Sequence, residues 1–96
     1  TLANASAAGA GATINADLSY DPLWAAGDTS YPITAPTWII AYVKQTDKAK
    51  GETLKEFLRF MLTDGQKLAA SVDYAQLPEN LDKLALAQLD KLQIPA

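Results

Sequence analysis

Tyr31-Pro32-Ile33-Thr34-Ala35-Pro36-Thr37-Trp38-Ile39-Ile40-Ala41-Tyr42-Val43 is the stretch on which the fold turns. From Thr37 onward it is rich in β-branched and aromatic side chains, which favour a pleated, extended chain. Residues 38–43 are apolar at every position, so both faces of a strand there would need cover. Pro32 and Pro36 lack an N–H and belong before any paired region. The stretch predicts a central, buried strand over residues 31–43.

Downstream, residues 44–51 carry alternating charges and read as a polar surface connection. Residues 52–62 follow with the best helical pattern in the chain. Leu54, Phe57, Leu58, Met61 and Leu62 recur at helical spacing and form one apolar stripe. Lys55, Glu56 and Arg59 fall on the opposite face and read as a solvated surface with weak pairs such as Glu56 with Arg59. Gly65 offers a stop, and residues 66–72 read as one or two further turns. A last helix is expected over residues 77–92. Pro78 suits its first turn, and Leu81, Leu84, Ala85, Gln88, Leu89 and Leu92 mark its buried side.

Upstream, residues 1–13 hold six alanines and read as a short helix, with no evident cap before it. The Gly9-Ala10-Gly11-Ala12-Thr13 run has the composition of a phosphate-cradling loop, but lone glycine pairs are common and no strand precedes this one. Residues 14–30 read as loop, with turn signals at Asp21-Pro22 and Gly27-Asp28. Trp24 reads as an aromatic anchor that packs this loop rather than as a stacking platform for a ligand. Asp17 and Asp21 lie four apart, a spacing better explained by turns than by paired catalysis.

Composition excludes several classes. The chain has 49% hydrophobic and 20% charged residues, too apolar for a disordered chain. It contains no histidine and no cysteine, so the usual zinc ligands and the usual nucleophile–base pairs are missing. No catalytic residue, metal ligand or cofactor is expected. Net charge is -3, with Asp17, Asp21 and Asp28 the only charged residues before Lys44 and a balanced remainder. Arg59 is the sole arginine, so no basic nucleic-acid footprint exists. The longest apolar run falls far short of the roughly 20 residues that a membrane helix needs.

One convincing strand cannot satisfy its own N–H and C=O groups. No partner strand is evident in the chain, so it is expected to complete a sheet made elsewhere.

The order of motifs resembles phosphate-binding proteins of the periplasmic, PstS-like type. The resemblance begins at Tyr31-Pro32-Ile33-Thr34 and Trp38-Ile39-Ile40. It continues through Leu54-Lys55-Glu56-Phe57-Leu58-Arg59-Phe60 and Thr63-Asp64-Gly65-Gln66 to Asp73-Tyr74-Ala75-Gln76-Leu77-Pro78, and covers roughly residues 18–93. Each part is unspecific alone, and the ordered series is fairly specific.

The resemblance implies an α/β chain, part of a two-lobed periplasmic binding protein fold, with one long apolar strand followed by two or three amphipathic helices. Residues 1–30 would be the tail of the second lobe, residues 31–43 the strand returning through the hinge, and residues 44–96 the helices covering the first lobe. It implies the C-terminal segment of an extracytoplasmic phosphate receptor for an ABC-type importer, periplasmic or extracellular. Its partners would be inorganic phosphate, membrane permease subunits and an N-terminal part of the same protein. That family holds phosphate with helix N-termini, hydroxyls, an Asp and an Arg. No Arg-Ser-x-Gly-Ser-Gly-Thr run occurs here and Arg59 sits mid-helix, so the ligand residues are expected upstream and none is assigned. The alternative is a free-standing α/β interaction module that docks on a partner protein by strand addition or helix-in-groove contact.

Overall fold

A computed structural model describes all 96 residues. The chain is helical: α1 (Leu2–Gly11), α2 (Lys48–Leu62), a 3₁₀ helix (Asp64–Val72) and α3 (Glu79–Leu89). α3 lies centrally, with α1 against one side and α2 against another, and the 3₁₀ helix folds back on α2. The molecule is a flat slab, 48 × 29 × 17 Å.

Local chemistry sets the helix ends. At α1, Thr1 and Asn4 form a reciprocal capping box that takes up otherwise unpaired N–H groups, so the alanine-rich opening is capped after all. At α2, the Asp47 carboxylate accepts from the Lys50 N–H at 2.9 Å. That cap starts the helix at Lys48, inside what reads as a loop. Gly51 is a residue that on its own weakens helices. Here it is a buried helical residue, and a β-carbon on it would lie 3.1 Å from Gln45 and 3.4 Å from Ile94. Its small size lets the segments before α2 and after α3 close in.

The end of α2 depends on Gln66. Its Nε2 donates to the Met61 carbonyl at 2.8 Å, and its Oε1 accepts from the Leu77 N–H at 2.8 Å. One side chain thus closes the helix and fixes the approach to α3. Asp73, at φ 62°, ends the 3₁₀ helix in the left-handed conformation, and the next N–H, of Tyr74, returns to the Ala69 carbonyl at 3.0 Å. α3 buries Leu81 and Leu89, while Leu84 is exposed, so its inner face is narrower than the leucine spacing implies.

The α/β architecture expected from residues 31–43 is not found. The structure has no strand and no sheet, only an isolated parallel bridge between Lys44 and Gln93. Two bonds make it: Gln93 N–H to the Val43 carbonyl at 2.8 Å and Gln45 N–H to the Gln93 carbonyl at 2.9 Å. No backbone N–H from Ile33 through Lys44 donates to another backbone group. The segment is tethered at its ends, by Tyr31 N–H to the Asn4 carbonyl at 3.0 Å and by the bridge at Lys44. Between the tethers it is uncovered: Ile40 is 95% and Tyr42 87% exposed. β-propensity is a local preference, whereas a sheet needs a second extended segment alongside, and these 96 residues supply none.

Only six residues are buried, and three of them, Ala8, Leu81 and Leu89, form the apolar core. That core is small for a chain with so many large apolar side chains.

Candidate functional site

Arg59 is the first residue to place, since a phosphate receptor uses arginine for bidentate anion contact. It leaves the outer face of α2 near its C-terminal end and donates from Nη2 to Asp90 Oδ1 at 3.0 Å. Lys55 Nζ approaches the same carboxylate at 3.8 Å. The partner is therefore Asp90, just past α3, and not Glu56 as the sequence implies. The pair clasps α2 to the end of α3, and both side chains remain about half exposed or more. An arginine with its carboxylate already supplied is a positioning group, and its weak surface pairing limits its energetic weight.

The glycine pair has a packing role as well. Gly9 and Gly11 sit at the C-terminal end of α1, where the helix dipole presents negative partial charge and carbonyl oxygens. That end repels anions; the N-terminal end attracts them. A β-carbon on Gly9 would rest 3.4 Å from the Pro78 ring, and one on Gly11 would overlap the Ala26 carbonyl oxygen. Both glycines allow the chain to pass close by.

The helix N-termini are spoken for. α1 is closed by Thr1 and Asn4, and α2 by its own Asp47 carboxylate. The first turn of α3 carries Glu79 and Asp82. An open cleft of roughly 560 Å³ lies beside that turn, lined among others by Ser6, Thr63, Asp64, Lys67 and Asp82. Its one cation, Lys67, is bound to Asp64 at 3.0 Å. Glu79 pairs with Lys83 at 2.6 Å, which holds the glutamate below and the lysine above their ordinary pKa values. Asp82 Oδ1 is buried with no hydrogen-bond partner, and burial pushes its carboxyl up. Three carboxylates against one occupied lysine disfavour an anion there.

The remaining sequence candidates resolve simply. Asp17 Oδ1 accepts from the Ser19 hydroxyl at 2.6 Å and the Ser19 N–H at 2.9 Å, and these bonds hold its carboxyl below the usual range. Asp21 Oδ1 accepts from the Leu23 N–H at 2.9 Å. Both are turn-forming aspartates, as their spacing implies. Trp24 departs from expectation. Its backbone is held at φ 53° by Trp24 N–H to the Pro32 carbonyl at 3.0 Å, yet its ring is 80% exposed and anchors nothing. The packed aromatic pair is Tyr20 with Trp38, edge to face at 5.4 Å. No group of three or more carboxylates converges to hold a metal ion, and no helix is long and apolar enough to cross a membrane.

What the chain does present is apolar surface. Trp38, Ile39, Ile40, Tyr42 and Val43 are all about half exposed or more, as are Phe57, Leu68 and Val72. A run of this kind on a small protein marks an interaction surface. The sequence motif signalled the apolar run at 38–43; its exposure could be read only from the fold.

Comparison with known proteins points to receptors that bind phosphate. The chain is 32% identical over 74 residues to the phosphate-binding protein PstS of Methanocaldococcus jannaschii, a match covering 72% of this chain and 19% of the relative. It is 34% identical over 59 residues to the phosphate-binding protein PstS of Xylella fastidiosa, covering 62% of this chain and 16% of the relative. The chain thus spans less than a fifth of the length of the curated relatives it matches. No family model matches the chain, and no solved structure does. The relatives carry the names of binding proteins, not of enzymes.

Proposed function

We propose that this chain is a segment of an extracytoplasmic phosphate-binding receptor for an ABC-type importer, and that the phosphate ligands lie in the remainder of that receptor. The observation that carries this reading is the similarity to two relatives, both named for phosphate binding, across most of this chain but a small part of theirs. Its own chemistry supports the division of labour. The single arginine is committed to Asp90, the helix N-termini are capped or acidic, and the glycine run sits at the wrong end of a helix. In this reading residues 1–30 and 44–96 pack against the rest of the receptor, and the uncovered residues 31–43 connect them. The importer's permease subunits are the partners of the assembled receptor.

Two measurements test the proposal. Titration calorimetry of the 96-residue chain with inorganic phosphate should show no binding. The intact mass of the protein that carries this sequence in its source should be several times 10.3 kDa, and that protein should bind phosphate. Phosphate binding by the 96 residues alone would refute the assignment of the ligands elsewhere. A source protein of 10.3 kDa that ignores phosphate would instead support a free-standing interaction module, the second reading, which the exposed apolar surface also favours.

A further inference from the structure

We infer that residues 48–72 are one helix folded at a hinge, residues 63–65, and that the Gln66 side chain is the latch that holds it folded. Opening the latch lets α2 run on through the 3₁₀ segment. The inference does not depend on the phosphate reading.

The apolar pattern crosses the break. Leu54, Leu58, Met61, Gly65, Leu68 and Val72 follow one another at alternating steps of four and three residues. On a continuous α-helix all six fall within about 80° of arc, one stripe. The folded chain abandons that register after α2. Residues 64–72 are wound as a 3₁₀ helix with no buried residue, and Leu68 and Val72 are both more than half exposed. At three residues per turn these two side chains stand about 120° apart, against about 40° on an α-helix. Lys67, Leu68, Ala69 and Ala70 are good α-helix formers. A 3₁₀ run of 9 residues is long for a winding with poorer hydrogen-bond geometry. Local preference and apolar spacing therefore both favour α winding, and something else holds the segment out of it.

The hydrogen bonds show what holds it. Thr63, at φ -122° and ψ -99°, interrupts the winding between α2 and the 3₁₀ helix. Its N–H turns to the Phe60 carbonyl at 3.1 Å, and its hydroxyl takes the Arg59 carbonyl at 2.7 Å. In an unbroken α-helix the Met61 carbonyl would accept from the Gly65 N–H, four residues on. Here it accepts from Gln66 Nε2 at 2.8 Å. The same side chain accepts the Leu77 N–H at 2.8 Å through Oε1. One residue thus occupies the acceptor that a longer α2 needs and ties the fold to the approach of α3. Release of Leu77 and straightening of α2 are coupled through it.

Gly65 gives the hinge its room. A β-carbon there would stand 2.9 Å from the Phe60 carbonyl oxygen, a main-chain atom. Alanine at this position opposes the folded hinge twice, by crowding that oxygen and by favouring α winding.

Circular dichroism and NMR of the 96-residue chain test this with two variants that act through different atoms. Gln66→Ala removes the latch, and Gly65→Ala crowds the hinge. Loss of two hydrogen bonds of ordinary strength shifts a two-state equilibrium by roughly 10–100-fold. In the parent, proton contacts between residues two apart should mark 3₁₀ winding over residues 64–72. Each variant should replace them with contacts between residues four apart, continuous from α2 to Val72. Helical ellipticity should rise by roughly a quarter as residues 63–72 join the three α-helices. Relaxation dispersion on the parent should detect the straight helix as a minor state at the amides of residues 62–73. Variants that keep the 3₁₀ contacts, or that lose all helical contacts over residues 63–72 while α1 and α3 stay folded, would overturn the inference. If either variant fails to fold, the parent decides: no exchange at residues 62–73 would leave the break a fixed feature and the hinge refuted.

Discussion

Replacing Gly11 with alanine should destabilise the fold, while the same change at Gly9 should not. Both glycines lie in α1, so helix propensity acts in the same direction at each. An alanine in a helix interior is worth up to about 1 kcal/mol over glycine. At Gly11, the last residue of α1, only part of that gain is available. Opposing it, a β-carbon on Gly11 would overlap the Ala26 carbonyl oxygen, a main-chain atom that cannot swing aside. Overpacking of this kind costs about 1–3 kcal/mol. The net expectation is a loss of about 1–2 kcal/mol, as residues 26–30 are pushed off α1. At Gly9 the nearest atoms are 3.4 Å away on the Pro78 ring, an ordinary contact. Propensity then dominates, and the change should be neutral or stabilising by up to about 0.5 kcal/mol.

Urea unfolding followed by circular dichroism measures both. If Gly11→Ala matches or exceeds the parent in stability, the close approach of residue 26 to α1 is wrong. The packing role assigned to the glycine run, and with it the case against an anion loop there, would then fall.

Arg59→Ala should cost no more than about 1 kcal/mol, because its pair with Asp90 is half exposed. The loss should shrink at high salt, and the change should leave the phosphate affinity of the proposed receptor unaltered; a large loss of affinity would make Arg59 a ligand. Asp82→Asn should raise stability slightly at neutral pH, since burial disfavours the charged form of a carboxyl whose Oδ1 lacks a partner and the neutral amide avoids that cost. The folded-state pKa of Asp82 is raised, so its cost is absent below the unfolded carboxylate pKa and grows as pH rises through the folded value. The advantage of asparagine should therefore vanish in acid, and an advantage that persists there would contradict the desolvation argument. Gln66→Ala removes two hydrogen bonds, to Met61 and Leu77, and should cost about 1–3 kcal/mol with faster hydrogen exchange at the Leu77 amide. Unchanged exchange there would show that Gln66 does not fix the approach to α3.

Much of the helical content was legible without the fold. The stripe of Leu54, Leu58 and Leu62 announces α2, and the alanines announce α1, because helix pairing is local and each residue's partner lies four positions away. Aspartates such as Asp17 and Asp21 declare their turns for the same reason: donor and acceptor are two residues apart. The start of α2 at Lys48 is hidden in the sequence because residues 44–51 are polar with alternating charges and read as a surface connection. The burial of Gly51 against Gln45 and Ile94 involves segments far apart in the chain. The partner of Arg59 lies 31 residues downstream and no spacing rule reaches it. The resemblance to phosphate-binding proteins likewise came from ordered motifs alone.

The tertiary structure decided the fate of residues 31–43. Their side chains set an extended, apolar conformation, and that much is a property of the segment itself. Whether an extended segment becomes a strand depends on a neighbour to accept its N–H groups and cover its faces. Within these 96 residues the arm meets main-chain partners only at its two ends, Asn4 and Trp24 at the start and Gln93 at the finish. The same residues that read as the centre of a buried sheet are therefore the most exposed apolar surface of the molecule. Hydrophobicity is written in the sequence, but burial needs a second surface, and only the folded chain tells whether one is there.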